Sequence, residues 1–178
     1  PEEADAQCAW LVKNKLADGV LTEDMDILTF GADKIYRNLG SFKKETLEIK
    51  LENILEKIDL NYDQFIDLCI LFGCDYCDRI KDIQPMKIYN IYKETKDINK
   101  TLEIFKNDYS VPKIDNINEI KSYFKDPPVV NINGNINLNK PDIKLIEEKL
   151  VNEHGLIKSK IINKIKYLDV FYNKVKNI

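Results

Sequence analysis

The chain has 178 residues, 44% hydrophobic and 32% charged, with a formal net charge of −3. That length allows one well-formed core, or a core with a helical appendage. No apolar run approaches the ~20 residues that cross a bilayer and no signal peptide is visible, so no membrane partner is expected. The first residue is Pro1 rather than Met, which suggests a piece of something longer.

In chain order, Asp5 to about Leu16 reads as a helix, with Ala6, Ala9, Trp10 and Lys13 on one face. Gly19 breaks it, and Val20-Leu21 opens a short strand. Asp26 to Phe30 suits a brief helix stopped by Gly31. Lys34 to Leu39 roughly alternates, as a second strand would, and Leu47 to Leu51 suits a third before a short helix from Glu52 to Ile58. Alternation of strand and helix favours an α/β sheet with its site at the strand C-terminal ends.

From Asn61 the pattern turns helical. Asn61 and Gln64 form a capping box ahead of the apolar run Phe65 to Phe72, which predicts a buried helix ending at Gly73. Pro85 starts a second helix carrying Met86, Ile88, Tyr89 and Tyr92. Thr101 to Phe105 is a third short helix, and Asp126-Pro127-Pro128 marks a turn. Val129 to Lys140, an Asn/Ile alternation, reads as an extended connection. Helices are expected again over 142–151 and from Ser159 to about Val175.

The chemistry is carried by acids. Thr22-Glu23-Asp24-Met25-Asp26 follows the apolar approach Val20-Leu21, Glu3 and Asp5 stand upstream, and Asp75 lies just past the predicted helix end at Gly73. None of these acids has a Lys or Arg beside it in the chain. Two carboxylates about 4 Å apart repel by roughly 4 kcal/mol at an effective dielectric near 20. If the fold gathers Glu3, Asp5, Asp24, Asp26 and Asp75, a bound cation makes the cluster tolerable. Taken singly, each acid could equally be a helix cap or a solvated turn.

The charge is unevenly spread. From His154 onward, Lys158, Lys160, Lys164, Lys166, Lys174 and Lys176 face a single acid, Asp169. An acidic front and a basic tail suit a polyanion held beside cation-binding carboxylates, although a solvated helix face explains the tail as well. Among the four cysteines, Cys74-Asp75-Tyr76-Cys77 has the spacing of half a zinc site or a redox pair. With no second such pair and the one histidine remote in sequence, free and mostly buried thiols in a reducing compartment are the favoured reading.

Four stretches together resemble the flap endonucleases, the structure-specific 5′ nucleases related to the xeroderma pigmentosum G-type enzymes. They are Glu3 to Ala9, Thr22 to Asp26 with Thr29-Phe30-Gly31, Gln64 to Cys77, and Ile83-Gln84-Pro85. They fall in family order, the likeness fades after about Pro112, and the whole is similar to the second half of such a nuclease. The resemblance implies an α/β acidic-site (PIN-like) sheet portion over 1–60, then a helical helix-two-turn-helix DNA-binding region over 61–178 that carries the last metal ligand.

The resemblance further implies metal ligands at Glu3, Asp5, Asp24, Asp26 and Asp75, and a DNA-gripping turn at Arg79, Ile80 and Ile83 with Lys87 beside it. It implies two Mg²⁺ ions, with Mn²⁺ as a substitute, and branched or flapped DNA as substrate. The expected activity is 5′ flap endonuclease and 5′-3′ exonuclease cleavage by two-metal hydrolysis in DNA replication and repair, with this chain supplying a partial half that does not cut unaided. It also implies a nuclear location in a eukaryote, otherwise a cytoplasmic or viral one.

There are departures. Asp5 stands where the family has Glu, and Asp82-Ile83-Gln84-Pro85 where it has Gly-Ile-Gly-Pro. Met86 stands where it has a second basic residue. No glutamine-plus-paired-aromatic motif for a sliding clamp is visible in the tail. Two other readings compete: a nuclease-like clamp that binds branched DNA without cutting it, and a toxin-type ribonuclease, which the long helical half argues against.

Overall fold

Ala6, Ala9 and Val12 fall on one face of α1 (Ala4–Lys13) and are buried. The small side chains let its axis approach the sheet closely. The computed structural model describes residues 3–41, 43–112, 114, 116–134, 136 and 139–175. Lys176 of the basic tail lies outside the described residues. Helix α1 stops at Lys13, short of the expected Leu16. Lys15 turns left-handed at φ +60°, and the Leu16 N–H returns to the Leu11 carbonyl at 2.9 Å, which closes the helix end.

Strands β1 (Val20–Leu21), β2 (Lys34–Arg37) and β3 (Leu47–Lys50) form one sheet in that order. β1 runs parallel to β2, pairing Val20 with Ile35, and β3 runs antiparallel to it, pairing Ile35 with Ile49. Ile35 is fully buried, so the register points its alternate residues into the core. A 3-10 turn over Asp26–Leu28 buries Ile27 and Leu28. Gly31 follows at φ +83°, where an added Cβ would sit 2.9 Å from the Tyr62 hydroxyl.

After α2 (Leu51–Ile58), helix α3 (Tyr62–Phe72) begins on the expected capping box. The Gln64 N–H donates to Asn61 Oδ1 at 2.9 Å, and the Asn61 N–H donates to Gln64 Oε1 at 3.1 Å. Its Phe65, Ile66, Leu68, Ile70 and Leu71 are buried, as is Asp67. A buried carboxylate requires partners, and Asp67 has two. The Tyr92 hydroxyl donates to Oδ2 at 2.9 Å, and Lys121 Nζ lies 2.6 Å from Oδ1. These tie α3 to α4 (Pro85–Thr95) and to α6 (Ile117–Lys125), with α5 (Ile98–Phe105) between them in sequence. Helix α6 was not expected. Its apolar spacing, Ile117, Ile120 and Phe124, lies in the stretch between Phe105 and the turn at Asp126, to which the sequence reading assigns no element.

Contacts divide the chain into two compact units, 1–133 and 134–178. One hydrophobic core in the first unit draws on residues from Ala6 to Phe124. In the second unit, α7 (Ile143–Glu147) passes into a π-type segment over Glu148–Glu153, and α8 spans Lys158–Val175. No helix is long and apolar enough to cross a membrane among the described residues.

Candidate active site

The loop after β1 sorts its three acids by backbone hydrogen bonding. Thr22 Oγ1 accepts the Asp24 N–H at 3.0 Å, and Asp24 Oδ1 accepts the Asp26 N–H at 2.9 Å. Thr29 hydrogen-bonds the Asp26 carbonyl, and the Tyr62 hydroxyl donates to the Thr29 carbonyl at 2.6 Å. The loop is thereby pinned to the start of α3. Glu23 is drawn away by the Asn38 N–H at 2.6 Å and by Arg37 at 3.3 Å. Asp24 and Asp26 are left without a cation partner among the described residues.

Glu3 and Asp5 enter from the N-terminal end of α1, and Asp75 from the turn after α3. The groups sense one another. The Asp5 carboxyl is raised above the usual aspartate value by burial, then by the charges of Asp24, Glu3 and Asp75. Asp26 is raised by burial, then by Asp24, Asp75 and Asp5. Two thiols flank the group. Burial and Asp5 raise Cys8, while burial, Asp26 and Cys74 push Cys69 up to about 12. The fold thus brings all five predicted acids into one electrostatic neighbourhood.

Hard, all-oxygen donors of this kind suit Mg²⁺ or Mn²⁺ rather than zinc, and a divalent ion would offset the burial and the repulsion that raise Asp5 and Asp26. Among the described residues, no group of three or more His, Cys, Asp or Glu side chains is placed so that it could hold a metal ion. The donor chemistry, rather than an assembled ligand set, is what fits the ions.

Sequence reasoning missed the aromatic support of this site. The Tyr76 ring packs edge-on against Tyr123 and Phe124 of α6, at centroid distances of 5.0 and 5.4 Å. Its hydroxyl lies 3.4 Å from Glu3 Oε2. The signal was the spacing of Ile117, Ile120 and Phe124, which marks the α6 face. Gln7 and Val130 exchange hydrogen bonds at 3.1 and 2.8 Å, so the segment after α6 is held on α1.

Gly73 turns α3 toward Asp75 at φ +93°, and an added Cβ would meet the Arg79 backbone nitrogen at 2.8 Å. All four cysteines are free and half-buried, rather than mostly buried as expected. The Cys77 thiol bonds to the Cys74 sulfur, holding Cys74 below the ordinary thiol value and raising Cys77.

The predicted DNA-gripping residues lie together between α3 and α4. Arg79, Ile80, Asp82, Ile83, Gln84 and Pro85 line a pocket of about 420 Å³. Ile80 is buried and Arg79 exposed. Asp82 is left-handed at φ +59°, a conformation that glycine takes without strain. Lys87 is exposed, donates to the Tyr109 hydroxyl at 2.9 Å and lies 4.9 Å from its ring centre.

The XPG I-region family profile matches residues 1–75. Flap endonuclease 1-A of Oryza sativa subsp. japonica is 38% identical over 178 residues, which covers 98% of this chain and 47% of that protein. Over its own length this chain is similar to the flap endonucleases. Flap endonuclease-1 from Methanococcus jannaschii superposes with a TM-score of 0.77 at 27% identity, over 98% of this chain and 52% of the other. The catalytic core of Rad2 in complex with DNA substrate shares the fold, with a TM-score of 0.74 at 24% identity over 94% and 63% of the two chains. The chain thus spans about half the length of the flap endonucleases it matches.

Proposed function

We propose that this chain supplies part of the catalytic centre and the duplex-gripping helices of a structure-specific 5′ flap endonuclease/5′-3′ exonuclease. Its substrate is branched DNA in replication and repair, cut in the nucleus of a eukaryotic cell. The observation that carries this reading is that, after burial, Asp24, Glu3 and Asp75 raise the Asp5 carboxyl, and Asp24, Asp75 and Asp5 raise that of Asp26. These acids come from three separate elements and coincide with the family's ligand positions.

Glu3 and Asp5 would hold one divalent ion, with groups outside this chain, and Asp24, Asp26 and Asp75 the other. Such ions supply an activated water and charge stabilisation for the leaving oxygen. Asp5 is one methylene shorter than the family's glutamate, so a water can bridge it to its ion. Tyr76 orients Glu3, and the hydrogen bonds within Thr22 to Asp26 fix where Asp24 and Asp26 can point. Backbone groups of Arg79, Ile80 and Ile83 would meet a phosphate of the duplex, with Lys87 as the nearby cation. Residues 1–178 alone would not cut DNA.

A second reading, a clamp that binds branched DNA without cutting it, is favoured by Asp5 in place of the family's glutamate and by Asp82 and Gln84 in the gripping turn. Full-length protein incubated with a labelled 5′ flap and Mg²⁺ separates the two. Cleavage at the junction that disappears in Asp24→Ala supports the nuclease. Retained cleavage in Asp24→Ala would overturn it, and a metal-independent gel shift with no product supports the clamp.

A further inference from the structure

Cys74 and Cys77 flank Asp75 and Tyr76 as a hydrogen-bonded antiparallel pair. The Cys74 N–H donates to the Cys77 carbonyl at 3.0 Å, and the Cys77 N–H donates to the Cys74 carbonyl at 3.1 Å. Residues paired in this way have Cα atoms about 5.5 Å apart, within the range a disulfide spans. Their sulfurs are already 3.4 Å apart. Both thiols are half-buried and thus open to a small oxidant, and Asp75 and Tyr76 between them are exposed.

We propose that Cys74 and Cys77 form a reversible oxidation site whose disulfide weakens the divalent-ion site at Asp75. The proposal rests on the metal-site reading above. The oxidant is a peroxide. The Cys77 thiol proton is shared between the Ile70 carbonyl at 3.5 Å and the Cys74 sulfur at 3.4 Å, which leaves Cys74, the acceptor, as the first nucleophile. The Cys74 sulfur attacks the peroxide oxygen, giving a sulfenic acid and one water. The Cys77 sulfur then displaces the hydroxyl, forming the S–S bond and a second water. Two electrons pass from the sulfurs to the peroxide, and both thiol protons leave in water.

Closing the sulfurs to a bond of about 2.05 Å tightens a turn whose two central residues are Asp75 and Tyr76. It also removes the Cys77 hydrogen bond to the last turns of α3. Ligand distances in such sites tolerate only about 0.2 Å, so the turn need move little to loosen the ion.

Full-length protein treated with hydrogen peroxide, digested and mapped by mass should show a Cys74–Cys77 peptide lighter by two hydrogens, restored by dithiothreitol. Manganese binding, read by electron paramagnetic resonance without DNA, should weaken about tenfold on oxidation and recover on reduction, the usual scale for disturbed ligand support. Cys74→Ser and Cys77→Ser should each bind manganese as reduced protein does, before and after peroxide. Failure of this pair to oxidise, or an oxidised protein that binds manganese unchanged, would overturn the proposal. If reduced protein binds no manganese, the metal-site reading falls, and the proposed weakening falls with it.

Discussion

At the scale of single residues, Asp5 and Asp26 act against the fold that gathers them. Burial and neighbouring charge raise the Asp26 carboxyl above its unfolded value. Over the intervening pH range the native state therefore binds more protons than the unfolded one. The contribution of Asp26 to stability falls as pH rises from the ordinary aspartate value through the raised native one, and returns on acidification. In metal-free protein at neutral pH, Asp26→Asn should raise Tm by a few degrees and flatten that part of the pH profile, while cleavage is lost. Calorimetry with and without Mg²⁺ checks this, and a lowered metal-free Tm would show that Asp26 is already compensated. These acids were legible in the sequence because none has a neighbouring cation to satisfy it. The diversion of Glu23 was not, because its partner Asn38 belongs to a strand end fifteen residues on.

At the scale of elements, local signals placed α3 and the three short strands of the sheet. The capping box fixed the α3 start, since its two hydrogen bonds join residues three apart. Helix α6 escaped because its weak apolar spacing is decisive only once Phe124 meets Phe30 and Tyr76 across the core. The turn between α3 and α4 shows sequence and conformation in conflict: Asp82 sits where a glycine would relax. Left-handed backbone costs a non-glycine residue roughly 1–2 kcal/mol, though Asp suffers less than most. Asp82→Gly should therefore stabilise the fold by up to about 1 kcal/mol. It should also tighten duplex binding, by removing a negative charge and a Cβ from the phosphate approach. Thermal unfolding and a binding titration at fixed salt measure the two effects separately. Greater stability without tighter binding would show that this turn does not approach DNA.

At the scale of the whole chain, a net charge of −3 gives no general attraction to nucleic acid, so binding must come from where the cations are placed. Lys158, Lys160, Lys164, Lys166 and Lys174 are all exposed along α8, on a helix whose one acid, Asp169, lies 4.0 Å from Lys140. If these lysines neutralise phosphates, each lysine removed reduces the slope of log affinity against log salt by about 1. Alanine preserves the helix, so Lys164→Ala with Lys166→Ala removes charge without removing α8. The pair should weaken binding across all sequences, reduce the salt slope by about 2, and leave the site's manganese affinity unchanged. A slope equal to that of the parent protein would make α8 a solvated face and confine phosphate binding to the turn between α3 and α4. Weaker manganese binding in the same variant would instead mean that the substitution reaches the acidic site through the fold.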